Sequence, residues 1–363
     1  MKFLFDRLKY RRGMQLQRIL LVVVTTLPFF GFAQAQKEKP AVTFEELYDE
    51  PFSINKLFVG FQPLYGELFA TNVNAGFGIE AMYYYKDKFD IKASFRKTYS
   101  SEFFDFNRNA SLLKQNSGVP AAAISDKPNT FSYYEIGGTY HFKDFDQESK
   151  TKMVLYRKSF KGDRWAATVP LHAEIPCKVR KIYGGRLGAI LWNSTADLTR
   201  AMAKQGLTNA NLKTAAGASL PSTYTDQGQN KQLYVFGNMS SAAIYLGGSM
   251  SWIRNVAVSF DKYDDGVDDG MMTVFFDIMV APATSLDPVT YLGNQYSTKA
   301  IKTNMLGMRA GIEGKFNRTL GWSYGGEMGY RPSINGQGFY AMFKIAFPLY
   351  STNLDYKVES FGK

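Results

Sequence analysis

The stretch FDIKASFRKTYS, residues 89–100, alternates between two kinds of side chain. Its odd positions are mostly apolar or aromatic, as at Phe89 and Phe95, whereas its even positions are all polar, as at Lys92 and Arg96. A period of two is the signature of a β-strand. The contrast between the two faces predicts a strand with an apolar environment on one side and water or paired charges on the other.

The same alternation recurs in four other segments, which are residues 74–85, 303–316, 321–331 and 338–350. Segments of this length exceed the usual five or six residues of strands in soluble sheets. Their apolar faces end in Tyr, Trp and Phe, which suit a membrane interface. A soluble β-sandwich also alternates, but here the polar face carries whole charges at successive inward positions, such as Glu313 and Lys315. The segments therefore favour transmembrane strands.

The connectors alternate between tight and long. Residues 86–88, 144–149 and 317–319 read as tight turns, whereas residues 101–129, 195–231 and 283–302 read as long polar loops. Short periplasmic turns opposite long extracellular loops are typical of transmembrane barrels, and a sheet in lipid must close to pair its backbone groups. We predict an all-β fold, a transmembrane antiparallel β-barrel of about twelve strands, or fourteen if residues 232–263 form two. The predicted strands are 56–69, 72–85, 88–100, 130–143, 150–160, 164–177, 181–194, 232–252, 268–281, 303–316, 320–331 and 336–350.

The start of the chain predicts export. Residues 1–18 hold six Lys or Arg and one Asp, an apolar run follows from Ile19 to Ala33, and Ala33-Gln34-Ala35 is an A-x-A cleavage site. This order is typical of a secretory signal peptide, with a retained membrane anchor as the alternative. We expect a signal peptide at 1–35, with Met1 or Met14 as the start, and no later transmembrane helix. The domains then are a periplasmic segment 36–55, the barrel 56–350 and a tail 351–363.

The charge and the cysteine content argue against a nucleic-acid-binding protein and against a protein stabilised by internal disulfides. The signal region supplies +5 (six minus one) of the formal +11, so about +6 remains over the rest of the chain. An excess of this size gives no reason to expect a nucleic-acid partner. The single cysteine, Cys177, excludes an internal disulfide.

TFEELYDEP, residues 43–51, has capping-box spacing and predicts one helical turn before the first strand.

The quoted alternation, with NVNAGFGIEAMYYY and GFYAMFKIAFPLY, resembles outer-membrane β-barrel proteins of Gram-negative bacteria. The signal that ends in FAQAQ is similar to those of Bacteroidota. The resemblance covers the mature chain and points to no specific family. It departs from the usual pattern at its end, because the last predicted strand stops near Tyr350 and a tail follows. It implies outer-membrane localisation and outer-membrane lipid as the surrounding partner.

Residues with catalytic or metal-binding chemistry are few. His141 and His172 are the two histidines, and the alternation places both inward, at or below the middle of the barrel. A hydrolase or acyltransferase of the outer membrane needs its histidine near the outer rim, so we expect no enzymatic activity. YDDGVDDG, residues 263–270, lacks the spacing of a calcium loop and reads as a solvated hairpin turn. We expect no metal and no cofactor.

The inward charges form the candidate site. Their signs are nearly balanced, and the lumen of such a barrel is only modestly wider than side chains can fill. The candidate network consists of Glu80, Lys92, Arg96, Glu135, His172, Glu174, Arg186, Arg309, Glu313, Lys315, Glu327 and Arg331, with Asp90, Asp277 and Lys344 on the same faces. Paired charges predict a plug, and the alternative is a narrow pore with a charged constriction.

Three functions follow from this sequence. The first is a structural or partner-binding barrel, whose envelope protein partner would bind the long loops or residues 37–55. The second is a small-solute porin or transporter. The third, a lipid-modifying enzyme, is disfavoured by the histidine positions.

Residues 197–218 have helical composition and predict a short helix over the extracellular mouth.

Overall fold

The computed structural model describes residues 42–54, 56–70, 73–85, 87–99, 121–124, 129–155, 171–317 and 321–352. The elements below belong to one compact unit that begins at Thr43. The predicted signal peptide 1–35 and most of the tail 351–363 lie outside these residues. Among the described residues, no helix has the length and apolar character that crossing a membrane requires.

Twenty strands and one α-helix are described. The strands are β1 Phe44–Asp49, β2 Leu57–Phe69, β3 Val73–Tyr85, β4 Phe89–Thr98, β5 Ala122–Ala123, β6 Ser132–Leu155, β7 Leu171–Asp197, β8 Thr223–Asp226, β9 Gln229–Gln232, β10 Tyr234–Ile253, β11 Val256–Phe260, β12 Gly266–Asp268, β13 Gly270–Leu286, β14 Val289–Tyr291, β15 Asn294–Tyr296, β16 Thr303–Asn304, β17 Leu306–Phe316, β18 Ser323–Tyr330, β19 Ser333–Ile334 and β20 Phe339–Ser351. Helix α1 is Leu198–Lys204, and a short 3₁₀ helix covers Asn209–Asn211.

Ten of these strands close into an antiparallel barrel. Their order is β13-β17-β18-β20-β2-β3-β4-β6-β7-β10, and β10 pairs with β13 to close the ring. β5 pairs with β10 in parallel outside the ring. The predicted closed antiparallel barrel is confirmed, but the count of twelve strands is wrong. We call the end where β2 begins and β20 ends the terminal end, and the opposite end the loop end.

Two of the predicted turns are strand, which explains the error in the count. Residues 144–149 lie inside β6, and the predicted break after Cys177 lies inside β7, so four predicted strands are two. β6 and β7 stay paired from Ser132–Asn193 to Leu155–Leu171, with one bulge between His141 and Lys143. β4 begins opposite Tyr140, so β6 runs about 45 Å beyond that point at the usual rise per residue. The part of β6 next to the barrel is mostly polar from Lys143 to Lys150 and therefore reads as a turn, whereas β7 opposite it alternates, with Ala173, Ile175, Cys177 and Val179 buried.

A small sheet, which we call the annex, stands at the terminal end beside this extension. It consists of β1, β11 and β12 in the order β1-β11-β12. Residues 252–263 therefore hold the end of β10 and a separate strand, and that second strand leaves the barrel. The helical turn predicted at residues 43–51 is wrong, because β1 pairs with β11 from Phe44–Phe260 to Asp49–Val256. The annex packs on the β6–β7 extension, where Met153, Ile175 and Val179 are buried.

The outer surface of the barrel is apolar around its whole circumference. Large apolar side chains that are 44–67% exposed occur on all ten strands or their immediate neighbours, and they include Leu68, Ile79, Ile91, Ile136, Leu187, Leu191, Ile244, Leu246, Phe276, Ile278, Leu306, Ile312, Met328 and Phe343. Exposed aromatic rings flank them, with Tyr83, Tyr85, Phe89, Tyr140, Phe142, Tyr324, Phe347 and Tyr350 at the terminal end and Tyr99, Tyr134, Tyr330 and Phe339 at the loop end. An apolar band between two aromatic girdles is the surface of a barrel that faces lipid.

Described segments close both ends of the barrel. At the terminal end, the amides of Asn255 and Asn317 donate to the carbonyl of Ser53 at 2.8 and 2.9 Å. The next residue, Ile54, packs on Ile182, Ile253 and Met271; we call residues 50–54 the floor.

At the loop end, α1 and the loops after β7 and β13 bury apolar side chains over the lumen. We call this layer the roof, and its buried members include Leu198, Met202, Leu212, Leu220, Val289, Tyr291 and Ile301. The predicted short helix over this mouth is present as α1. Its N-terminus is capped by Asp197, whose side chain accepts a hydrogen bond from the Arg200 N–H at 3.0 Å. Loop residues at this end are therefore a packed layer rather than a solvated loop.

Candidate functional site: the charged lumen

The strand alternation aims charged side chains into the lumen, where they are almost fully buried. The charged side chains in this interior are Glu67, Glu80, Lys92, Arg96, Glu135, Arg186, Asp277, Arg309, Glu313, Lys315, Glu327, Arg331 and Lys344. Ten of the twelve predicted network residues are in this set. Buried charges are costly unless they are paired and hydrogen-bonded, so their partners determine what the lumen is.

Arg309 on β17 makes the largest number of ion pairs in the described lumen. Its guanidinium donates to Glu135 on β6 at 2.6 Å, to Asp277 on β13 at 2.9 Å and to Glu327 on β18 at 3.3 Å. It also lies 4.5 Å from the ring centroid of Tyr245. β17 and β6 are four strands apart in the ring of ten, so the pair with Glu135 bridges the lumen.

A second bridge joins opposite walls nearer the terminal end. Lys92 on β4 donates to Glu313 on β17, and these strands are five steps apart in the ring. Lys344 on β20 lies 3.3 Å from the same carboxylate and donates to Glu80 on β3. One carboxylate thus holds two ammonium groups from different walls, which fixes three strands around it.

Arg331, the residue after β18, forms a two-pronged pair with Glu67 on β2. The two N–H groups donate to the two carboxylate oxygens at 2.9 and 2.7 Å. Glu67 was missed in the sequence, because a bulge at Pro63 shifts the alternation of β2 by one residue. A one-residue shift moves every later side chain to the other face. Proline inside an alternating strand was the available signal, since it often marks a bulge.

The remaining predicted cations differ in how they are paired. Arg186 donates to Asp277 at 2.9 Å. Arg96 reaches Glu327 only at 3.8 Å and lies 4.8 Å from the ring centroid of Tyr133. Among the described residues, no hydrogen-bond partner reaches the Nζ of Lys315, which lies 4.3 Å from the ring centroid of Phe58. The network is therefore dense around Arg309 and sparse at Lys315.

Two predicted network residues lie outside the lumen, which corrects their assignment. His172 and Glu174 are exposed on the part of β7 that extends past the barrel, opposite Val154 and Lys152 of β6. They were placed inside because residues 164–177 were taken as a separate transmembrane strand. His141 does lie at the terminal end of the lumen, where its ring nitrogens contact Asp90 at 2.9 Å and the Asp87 carbonyl at 3.0 Å.

The acidic stretch at residues 263–270 belongs to the annex. Asp268 accepts from Thr151 at 2.6 Å and lies 3.4 Å from Arg254, and Asp265 accepts from Ser259 at 2.8 Å. Within the described ranges, no group of three or more His, Cys, Asp or Glu side chains could hold a metal ion. Asp268 thus joins the annex to β6, and Asp265 makes a contact within the annex.

Asp49 in the annex has a perturbed acidity. Burial raises the pKa of its carboxyl above the usual value of 3.8, although the N–H of Lys178 donates to it at 2.8 Å.

Arg180, next to the floor, donates to Asp144 at 2.8 and 2.6 Å and lies 4.3 Å from the ring centroid of Phe52. The annex, the extension and the floor are therefore joined by charged contacts.

No protein-family model matches the chain, and no curated protein matches it. Among solved structures, the chain is similar to OmpTdeltaL8, a loop L8 deletion mutant of OmpT, an outer membrane protein of Vibrio cholerae. The sequence identity is 8%, the TM-score is 0.16, and the match covers 81% of this chain and 99% of that chain. A similarity of this level carries no argument about function. The resemblance to outer-membrane β-barrel proteins is confirmed by the closed antiparallel barrel, and no family is identified.

The expectation that the chain has no enzymatic activity is corrected here. It rested on two histidines inside the barrel, and His172 is exposed outside it. The solved structure named above is described as an outer membrane protein, and at a TM-score of 0.16 it gives the expectation no support. The expectation is therefore withdrawn.

Proposed function

We propose that the protein is an integral outer-membrane β-barrel with a closed lumen and a structural or partner-binding role. The apolar outer band and the ion-paired interior support the membrane location, because this distribution of side chains would be unfavourable in water. In this proposal residues 1–35 are a cleaved signal peptide of a Gram-negative bacterium similar to Bacteroidota. The terminal end, which holds the annex, is periplasmic, and the roof is extracellular.

The observation that carries the closed lumen is the pair of bridges between opposite walls. Arg309–Glu135 and Lys92–Glu313 cross the interior, and the Arg309 and Glu135 side chains are each 1% exposed. Separating Lys92 from Glu313 would break a buried ion pair, which costs about 3–5 kcal/mol. Separating Arg309 from Glu135 would cost less, about 1.5–3 kcal/mol, because Arg309 keeps Asp277 and Glu327. A conducting path would need to displace both pairs as well as the floor and the roof. The bridges therefore favour a plug over a pore.

The partner-binding role rests on the annex and the roof. β1, which lies within the segment 37–55, is part of a sheet that stands clear of the apolar band. The β6–β7 extension adds a charged surface beside it. An envelope protein in the periplasm would meet these elements first, and the roof presents the other candidate surface.

Planar-bilayer recording on the purified barrel tests the closed lumen against a porin. We expect no stable conductance steps from the native protein. A variant with Lys92→Ala, Glu135→Ala, Arg309→Ala and Glu313→Ala, combined with removal of residues 36–54 and replacement of residues 198–231 by a short glycine-serine linker, should show steps because the bridges, the floor and much of the roof are gone. The matched control is Lys231→Ala with Asp226→Ala, which removes an exposed ion pair in the loops and should stay silent. Regular open steps from the native protein would overturn the plug and favour the porin.

A further inference from the structure

A small cavity opens in the roof, away from the lumen charges. It has a volume of about 330 Å³ and is lined by Lys204, Gln205, Leu207, Ala300, Lys302, Asn335 and Gly336. Three separate segments contribute, namely the end of α1, the loop before β16 and the turn after β19. Its size lies at the lower end of the range of small-molecule sites.

Gln205 holds the walls of this cavity in place. Its amide donates to the carbonyls of Lys302 at 3.1 Å and Asn335 at 3.4 Å, and its carbonyl accepts from the Lys302 N–H at 2.9 Å. On the other side, Lys204 Nζ donates to the Gly336 carbonyl at 3.1 Å. Gly336 has a φ of +80°, a conformation that favours glycine. The cavity is therefore preformed, and a ligand would bind without ordering these segments.

The charge of the cavity selects an anion. Its lining includes two lysines and no carboxylate. Lys213 and Lys299 lie in the same roof loops, and the loop carboxylate of Asp226 is paired with Lys231. A field of one sign raises the local concentration of oppositely charged solutes, and lysine is a common phosphate ligand. The two lining lysines therefore favour a ligand with a compact anionic group.

The rest of the lining suits a hydroxylated ring. The Gln205 amide is committed to the walls, but the Asn335 amide offers donors and an acceptor, and the Asn335 and Gly336 carbonyls each keep a second lone pair. Leu207 with Ala300 offers a small apolar wall. A saccharide presents hydroxyl groups at its edge and C–H groups on its face, and both can be matched here. We propose that this cavity binds a phosphorylated saccharide of monosaccharide size. This site goes beyond the closed barrel proposed above and does not depend on whether the lumen conducts.

Isothermal titration of the full barrel in detergent tests the site with glucose 6-phosphate as the probe. Native protein should bind it with one site per chain. Lys204→Gln with Lys302→Gln should weaken binding at least tenfold, and Ala300→Glu should do the same by placing a carboxylate at the cavity. The matched control, Lys213→Gln with Lys299→Gln, removes the same charge from the same loops outside the cavity. It should bind within twofold of the native protein.

Three results would overturn the proposal. They are no binding to native protein, equal weakening by the control pair, and inorganic phosphate binding as tightly as glucose 6-phosphate. The unfolding temperature of each variant shows that the roof is intact, since all substituted side chains are at the surface.

A second experiment replaces glucose 6-phosphate with lipid A in mixed micelles. Tighter binding than glucose 6-phosphate assigns a membrane-anchored source to the ligand, and weaker binding assigns a soluble one.

Discussion

Removing the carboxylate of Glu67 should destabilise the barrel more than removing that of Glu135. In Glu67→Gln, the amide keeps one acceptor oxygen but has no charge, so Arg331 loses one of its hydrogen bonds of 2.9 and 2.7 Å and its close ion pair. Among the described residues it then keeps a carboxylate only at 3.9 Å, that of Glu327. Breaking a buried pair in this way costs about 3–5 kcal/mol. In Glu135→Gln, Arg309 keeps Asp277 at 2.9 Å and Glu327 at 3.3 Å, so the loss should be closer to that of a single charged hydrogen bond, about 1.5–3 kcal/mol.

The assay is urea unfolding of the refolded barrel in detergent, followed by the fluorescence of its four tryptophans. The slope of the free energy of unfolding against urea should not change between the variants, because the buried surface is the same. The double variant Glu67→Gln with Arg331→Met should recover part of the loss, since the unpaired buried charge is also removed. The reasoning fails if Glu135→Gln costs as much as Glu67→Gln, or if the double variant is less stable than Glu67→Gln.

Three further predictions concern other parts of the chain. Gly137→Ala should lower the free energy of urea unfolding by about 1–3 kcal/mol, because its Cβ would lie 2.0 Å from Tyr245 Oη; a neutral result would contradict this packing. Leu198→Ala should cost about 2–5 kcal/mol and speed tryptic cleavage of residues 199–231, because Leu198 is fully buried in the roof; unchanged cleavage would contradict the roof. Burial raises the pKa of the Asp49 carboxyl in the folded state, so the folded chain binds this proton more tightly than the unfolded chain does. The resulting stabilisation is fully present below pH 3.8 and should be lost as the pH rises through the pKa of the folded state. Asp49→Asn should therefore flatten the decline in unfolding temperature above pH 3.8, and an unchanged pH profile would contradict the shift.

The barrel was predictable from sequence where lipid and water lie on opposite sides of a strand. Under that condition every second residue must be apolar, as in residues 89–98 of β4, and the register follows from the pattern alone. The inward charges on β4, β17 and β18 were predictable for the same reason. Their pairing across the lumen was not, because it depends on which strands face each other in the closed ring.

The continuity of the β6–β7 extension was not predictable, because β6 is polar where it leaves the barrel. The segment KDFDQESKTK, residues 143–152, is polar throughout and resembles a turn, yet β7 pairs with it along its whole length. β7 has a period of two at residues 172–179, where the annex covers one face, but the polar segment of β6 has none. This one misreading produced both the count of twelve strands and the wrong placement of His172.

The roof and the annex depend on contacts between residues that are distant in sequence. Ile301 and Leu198 join one apolar layer, and β1 pairs with a strand about two hundred residues later. Short segments of this kind have ordinary composition, so tertiary contacts decide their conformation. The capping-box spacing at residues 43–46 failed for this reason, since pairing with β11 gave β1 more hydrogen bonds than one helical turn.

The central claim, that lipid surrounds this barrel, is tested most directly by Leu246→Arg. Leu246 is 67% exposed at the middle of β10, between Leu187 of β7 and Ile278 of β13. We expect the substitution to lower the free energy of unfolding in phospholipid vesicles by about 2–4 kcal/mol. At an exposed position of a water-soluble protein the same change usually stays within about 0.5 kcal/mol. A cost in that smaller range, measured in vesicles, would contradict the membrane barrel.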